Sequence, residues 1–171
     1  DIRIELDIDG RGKTDISTPI NFLNHLLDNF GKHGLFDLKI SASGDIEIDQ
    51  HHTVEDIGIC LGEAFREALG DKKGINRAGY FVFPLDEALS VVALDISGRA
   101  YLNFDCKFKK EKIGDLYSDL IKEFFWGFCR ALKATVHIRV LYGDNEHHKA
   151  ESMFKAFAKA MKTACSKEKR I

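Results

Sequence analysis

Apolar and polar residues alternate one by one through Ile2-Arg3-Ile4-Glu5-Leu6-Asp7-Ile8, and again through Val136-His137-Ile138-Arg139-Val140. A period of two turns one face of an extended strand to a core and the other to water, so both runs are predicted to be half-buried strands. Elsewhere the period lengthens. Val54, Ile57, Leu61, Ala64, Phe65 and Leu69 recur at helical intervals, as do Met153, Phe154, Phe157, Ala158 and Met161, which predicts two long amphipathic helices. Another helix is expected over Phe22 to Phe30, with Ser17, Thr18 and Pro19 as its start signal and Gly31 and Gly34 as its stop.

The pattern occurs twice. Leu6-Asp7-Ile8-Asp9-Gly10-Arg11-Gly12 returns as Leu94-Asp95-Ile96-Ser97-Gly98-Arg99-Ala100, and the apolar segment Phe22 to Phe30 resembles Ile121 to Leu132. A strand-like run follows each, Leu35 to Ile40 and Thr135 to Leu141. This self-similarity predicts a tandem duplication within one domain, with units of about 1–75 and 76–171. Each unit reads strand, strand, helix, strand, helix. The expected fold class is α+β, with mostly antiparallel sheets and helices packed on one face.

The 171 residues suffice for one ordinary core. Acids and bases are interspersed at a net charge of −2, without a basic stripe or polybasic patch, so neither nucleic acid nor a membrane surface is an expected partner. No apolar run approaches the roughly 18 residues of a span, and no leader opens the sequence; a soluble cytoplasmic protein is expected. Cys60, Cys106, Cys129 and Cys165 lack C-x-x-C spacing and read as buried free thiols.

The candidate chemistry lies in two His-His-x-x-Glu clusters, His51-His52-Glu55 and His147-His148-Glu151, each following the third strand of its unit. A lone histidine on an apolar face is usually a satisfied core residue. Here residues four apart stack on one helix face, so His51 with Glu55, and His147 with Glu151, can each clasp one ion. The adjacent His52 and His148 point roughly 100° away. Two pseudo-equivalent metal sites are expected, each taking histidine and glutamate from one copy and a spare histidine from another. His25 is a further candidate ligand, and Glu123 occupies the corresponding position in the second unit. His137 aligns with Lys39 and is expected to be a strand residue near the site, while His33 is expected either to touch substrate or to cap its helix. The donors are imidazole and carboxylate without thiolate, which leaves Mn, Fe, Co, Ni or catalytic Zn open.

These residues also resemble a known family. Phe22-Leu23-Asn24-His25-Leu26-Leu27, His51-His52-Thr53-Val54-Glu55-Asp56, Asp86-Glu87-Ala88-Leu89-Ser90, Asp95-Ile96-Ser97-Gly98-Arg99, and Asn145-Glu146-His147-His148 with Glu151 and Phe154-Lys155-Ala156 are similar, in order and spacing, to the imidazoleglycerol-phosphate dehydratases of histidine biosynthesis. The resemblance implies a duplicated fold of the ribosomal protein S5 domain 2-like kind. It also implies removal of water from imidazole glycerol phosphate to give imidazole acetol phosphate, and a 24-subunit homo-oligomer built from trimers. Two Mn2+ ions per active site are implied, with ligands at His25, His51, His52, Glu55, His147, His148 and Glu151. Arg77 and Arg99 are implied to bind the substrate phosphate, and Lys155, within one of the family-like strings, is a further candidate for substrate contact beside His33. Glu55, Glu151 and a glutamate of the family's N-terminal segment, absent before Asp1, are the candidates for proton transfer.

The sequence departs from the family in three places. Members often carry histidine where this chain has Glu123, a residue still able to ligate a hard divalent ion. A family segment Arg-x-Thr-x-Glu-Thr is absent before Asp1, and a Ser-Thr-Lys-Gly segment is absent after Ile171; truncated or disordered ends are the expected cause of both. From the ligands alone, a dinuclear phosphohydrolase or a non-catalytic metal-storing shell remain the competing readings.

Overall fold

The alternating runs form strands and the helically spaced runs form helices in a computed structural model that describes all residues from Asp1 to Ile171. The first half contributes β1 (Ile2–Asp7), β2 (Thr14–Ser17), α1 (Asn21–Gly34), β3 (Asp37–Ala42) and α2 (His51–Leu69). The second contributes β4 (Ala78–Leu85), β5 (Ala88–Asp95), β6 (Tyr101–Asp105), the short β7 (Lys112–Ile113) and β8 (Leu116–Tyr117), α3 (Leu120–Leu132), β9 (Thr135–Tyr142) and α4 (Glu146–Cys165).

Strand pairing follows one scheme in both halves. β3 lies between β1, to which it is antiparallel, and β2, to which it is parallel. Likewise β9 lies antiparallel to β5 and parallel to β6, with β4 added along the outer side of β5. The α+β class is as expected. Two features are additional to the strand, strand, helix, strand, helix scheme: the edge strand β4, and the β7–β8 hairpin inserted before α3. Tyr80-Phe81-Val82-Phe83 in β4 is apolar on both faces and shows no alternation, and two-residue strands are too short to carry a period.

The helices cover the inner faces of both sheets, α1 packing on α4 and α2 on α3. Between them lies a phenylalanine-rich core in which Phe30 stacks on Phe157 at 5.2 Å and Phe65 meets Phe128 edge-on at 5.8 Å. The α2–α3 crossing is close enough to exclude side chains. A Cβ on Gly58 would fall 2.3 Å from the Phe124 carbonyl oxygen, and one on Gly127 would fall 2.7 Å from that of Glu55. Glycine at these positions therefore sets how near Glu55 comes to α3, which carries Glu123 and Arg130.

Two local expectations are corrected. Helix α1 begins at Asn21 rather than at Ser17–Pro19, and its exposed amides are capped from another part of the chain: Asn21 N–H and Phe22 N–H donate to the Asp115 carboxylate at 2.7 and 2.8 Å. Of the four free thiols, Cys129 and Cys165 are buried, while Cys60 and Cys106 are only partly so.

Candidate active site

Helix α4 starts with a well-formed N-terminus. Asn145 is its N-cap, accepting a hydrogen bond from His148 N–H at 3.1 Å. The first turn then divides by direction. Glu146 and Lys149 face inward, each 5% exposed, as an ion pair 2.7 Å apart whose contact is ionic rather than a well-aligned hydrogen bond. Glu146 also accepts from Lys109 N–H at 2.8 Å, and Lys149 donates to the Lys107 carbonyl at 3.0 Å. This buried pair ties the β6–β7 loop to α4 and leaves His147, His148 and Glu151 facing the opposite way.

Because α1 packs on α4, His25 arrives beside them. His25 Nε2 and His147 Nε2 lie 3.0 and 2.7 Å from the same oxygen, Glu151 Oε2. The donor atoms of these three residues all lie within 4.8 Å of one another. Phe22, one turn before His25, closes one side with its ring 5.1 Å from that of His147. Within one chain the third donor beside His147 and Glu151 is His25, brought there by the packing of α1 on α4.

The other oxygen of Glu151 faces Lys155 Nζ at 2.6 Å. Burial raises the Glu151 carboxyl, but Lys155, His25 and His147 outweigh it and bring it to about 2. Glu151 is therefore a fixed anion that orients two imidazoles and an ammonium. Lys155 Nζ sits 5.6 Å from the Phe83 ring, against which His33 packs edge-on at 5.5 Å. Burial, with the nearby Lys155 and Lys159 charges, pushes His33 below the usual imidazole range. It does not cap α1: the helix ends on Leu35 in the left-handed region at φ 57°, whose N–H bonds back to the Gly31 and Lys32 carbonyls.

His148 Nδ1 lies 2.7 Å from Glu87 Oε2. The other Glu87 oxygen accepts the N–H groups of Asn145 at 2.7 Å and Asp144 at 3.2 Å. Hydrogen bonding from His148 and these amides draws the Glu87 carboxyl down to about 2, and Glu87 in turn raises the imidazole of His148.

The α2 cluster is looser. His51 Nε2 and Glu55 Oε2 are 3.6 Å apart, and the other Glu55 oxygen is held by Arg130 in a short ion pair. His52 is exposed beside His51, their rings 5.9 Å apart. Glu123 lines one cavity of about 440 Å³ with His51, Asp119, Ser118 and Cys106, without joining His51 and Glu55 in a compact trio.

Arg77 and Arg99 lie elsewhere. Arg77 has φ 70° and makes a bidentate pair with Asp95, Nε to Oδ1 at 2.7 Å and one terminal nitrogen to Oδ2 at 3.0 Å. Arg99 is exposed in the bend after β5, its N–H donating to Ser97 Oγ at 3.2 Å. His137 stands on the exposed face of β9 beside the Tyr101 ring at 5.8 Å, apart from both clusters. Glu87, Asp95, Asp115 and Lys149 support these groups and were not singled out individually in the sequence. Asp86-Glu87 and Asp95 fall within family-like strings, but only the fold shows what their carboxylates hold.

A donor set of two imidazole nitrogens and one carboxylate oxygen converging at this spacing fits a divalent ion of the borderline N/O class. The fold and centre together define an α+β protein with a histidine–carboxylate cluster able to hold a divalent ion.

Comparison with known proteins is consistent with this and more specific. Residues 18–161 match the family model for imidazoleglycerol-phosphate dehydratase. An imidazoleglycerol-phosphate dehydratase of Koribacter versatilis is 54% identical over 170 residues, covering 99% of this chain and 87% of the relative. One from Acetivibrio thermocellus is 52% identical, covering 100% and 88%. The Staphylococcus aureus enzyme structure superposes with a TM-score of 0.90 at 39% identity, over 98% of this chain and 94% of that one. A Pyrococcus furiosus member, solved in complex with (S)-C348, gives 0.86 at 39% identity, over 98% and 90%. The chain belongs to the imidazoleglycerol-phosphate dehydratase family.

Proposed function

We propose that this chain removes water from imidazole glycerol phosphate to give imidazole acetol phosphate in histidine biosynthesis, using two Mn2+ ions per site within a homo-oligomer built from trimers, of 24 subunits by analogy with its family. The observation that carries the reading is the His25–His147–Glu151 triad with Lys155 at its edge, in a chain whose length matches the family nearly throughout. His25, His147 and Glu151 would hold one ion, and His51, His52, His148, Glu55 and Glu123 are the donors that would be left for a second. Bound there, divalent ions would supply Lewis acidity toward an imidazole substrate.

The chain's own residues meet the remaining demands. The proton on C2 is not acidic and the C3 hydroxyl is a poor leaving group, so a positioned base and a held substrate are both required. Among the residues from Asp1 to Ile171, Glu55 and Glu151 are the candidates for moving the proton. Glu151, fixed by three donors, is better suited to binding and orientation, which favours Glu55 as the proton carrier. Lys155 pairs with Glu151, and His33 packs on the same Phe83 ring as Lys155, which supports a role for both in meeting the substrate's polar groups.

Two internal rulers support a shared site. Arg77 N–H bonds to the Ala164 carbonyl near the end of α4, whereas His147 is at its start, about 26 Å away at ~1.5 Å rise per residue. β5 gives the same span: Glu87 precedes it and Asp95, the partner of Arg77, ends it, about 24–27 Å apart at ~3.4 Å per residue. A three-carbon phosphate is far too short to reach from the triad to the arginines of one chain. Arg77 and Arg99 therefore serve the triad of another copy, each guanidinium offering a fork to phosphate.

Metal-stripped protein assayed on imidazole glycerol phosphate with Mn2+ restored, alongside its mass in solution, tests the reading. An enolisable ketone product and a large assembly are expected; phosphate release or inactivity of a full-length protein would overturn it. Mixing subunits of Arg77→Ala with subunits of Glu151→Gln should restore part of the activity that each variant lacks, because some sites then receive both intact halves.

A further inference from the structure

Glu87 lies in the tight turn joining β4 to β5, next to Asp86 with its left-handed φ of 48°, and belongs to neither cluster. Its two oxygens have separate tasks. Oε1 accepts the backbone N–H groups of Asn145 at 2.7 Å and Asp144 at 3.2 Å, so that only an acceptor can occupy its place. Oε2 is left facing His148 Nδ1 at 2.7 Å. Asp86 Oδ2 stands 3.7 Å from the opposite ring nitrogen, beyond hydrogen-bonding distance, on a largely exposed side chain.

We propose that Glu87 is a positioning residue for His148: it keeps the proton of the neutral imidazole on Nδ1 and leaves an unprotonated Nε2 to bind a divalent ion. The inference rests on the metal-dependent reading above. A neutral imidazole has one donor and one acceptor nitrogen, and the partner of one nitrogen determines the role of the other. A carboxylate behind a metal-binding histidine fixes both tautomer and ring direction. Here the carboxylate is itself oriented by two backbone amides at the start of α4, so the β4–β5 turn, α4 and His148 form one rigid unit.

The amides make the test discriminating. In Glu87→Gln the side-chain oxygen must stay on the Asn145 and Asp144 N–H groups, which directs the NH2 at His148 Nδ1. That nitrogen must then accept, the ring proton moves to Nε2, and the ligating lone pair is lost. Glu87→Ala leaves the ring without preference and removes the backbone acceptor as well.

Mn2+ binding to the intact, metal-stripped protein, followed by the electron paramagnetic resonance signal of free Mn2+, should weaken 10- to 100-fold at one class of site in Glu87→Gln, and less in Glu87→Ala. Thermal melting of the metal-free proteins should rank them oppositely, with Glu87→Ala the less stable. Wild-type affinity in Glu87→Gln, or a greater affinity loss in Glu87→Ala, would overturn the proposal and leave Glu87 as a helix anchor. If the unaltered protein binds no Mn2+, the metal-dependent reading fails and this inference fails with it.

Discussion

The starts of α4 and α2 carry the same His-His-x-x-Glu string, yet they finish differently. At α4 a third donor arrives from α1, and three atoms converge within 4.8 Å. At α2 the histidine and glutamate stand 3.6 Å apart, Arg130 holds the free carboxylate oxygen, and Glu123 lines the same cavity as His51 without closing on the pair. The i, i+4 spacing fixes two ligands through helix geometry alone. The third is a tertiary fact, decided by which helix crosses nearby and what side chain it brings. Beneath each cluster the inward anchor also differs: Glu146 with Lys149 is a buried charged pair, whereas buried Gln50 is neutral, donating to the Asp115 carbonyl at 2.7 Å and accepting from Tyr117 N–H at 3.3 Å.

The largest expected effect breaks the closed centre. Glu151→Gln removes the anion shared by His25, His147 and Lys155, and should lose both the tighter metal equivalent and turnover, the latter by more than about 1,000-fold. Glu55→Gln should retain that metal while turnover falls about 100- to 10,000-fold, the range of a lost acid–base group. Metal content and steady-state rates measured on the same samples separate the two. Full activity with full metal in Glu151→Gln would remove its assigned role.

Next in size is the contrast between anchors. Glu146→Ala strands the buried Lys149 ammonium and should cost about 3–5 kcal/mol; Gln50→Ala, which orphans neutral groups, should cost about 1–3 kcal/mol. Urea unfolding of both variants measures the difference. The charged anchor also has a pH signature. Burial raises the Glu146 carboxyl, but Lys149 and the Lys109 and Lys110 amides reverse this and leave it below its ordinary value of 4.5. The folded state therefore binds this proton less readily than the unfolded chain. Its stabilisation is complete above the unfolded carboxyl value and is lost as pH falls through the lowered folded value. The variant should accordingly show a flatter acid limb in stability against pH, and an unchanged slope would contradict the assignment.

What the sequence made legible follows from the range of each signal. Alternation and helical spacing are local, so β1, β9, α2 and α4 could be read directly, as could His147 with Glu151 on one turn. The duplicated strings marked His25 and Glu123 as related positions. Contacts made across the chain were not legible: Asp115 capping α1 from more than ninety residues away, Asp95 engaging Arg77, and Glu87 standing behind His148. β4 left no alternation because both its faces are apolar. The distance between the arginines and the triad is likewise a tertiary property, set by the lengths of α4 and β5.

The smallest expected effect sharpens the comparison at its open end. Arg130 is the α2 cluster's counterpart of Lys155, each cation pairing with the carboxylate oxygen that the histidines do not use, but Arg130 reaches Glu55 from α3 whereas Lys155 lies on α4 itself. Both partners of the Arg130–Glu55 pair are partly exposed, and such pairs contribute about 0–1 kcal/mol. An ion binding at His51 and Glu55 must offset that amount if Arg130 has to withdraw. Arg130→Met keeps much of the packing against Trp126, whose ring lies 5.5 Å from the guanidinium carbon, and removes the competing cation. The weaker Mn2+ equivalent should then tighten by up to about fivefold, the factor equivalent to ~1 kcal/mol, while the tighter one is unmoved. Isothermal titration of metal-stripped protein resolves the two. Weaker binding in Arg130→Met would mean instead that the guanidinium steers Glu55 toward the ion, so that the two clusters differ in how their carboxylates are held and not in whether one is obstructed.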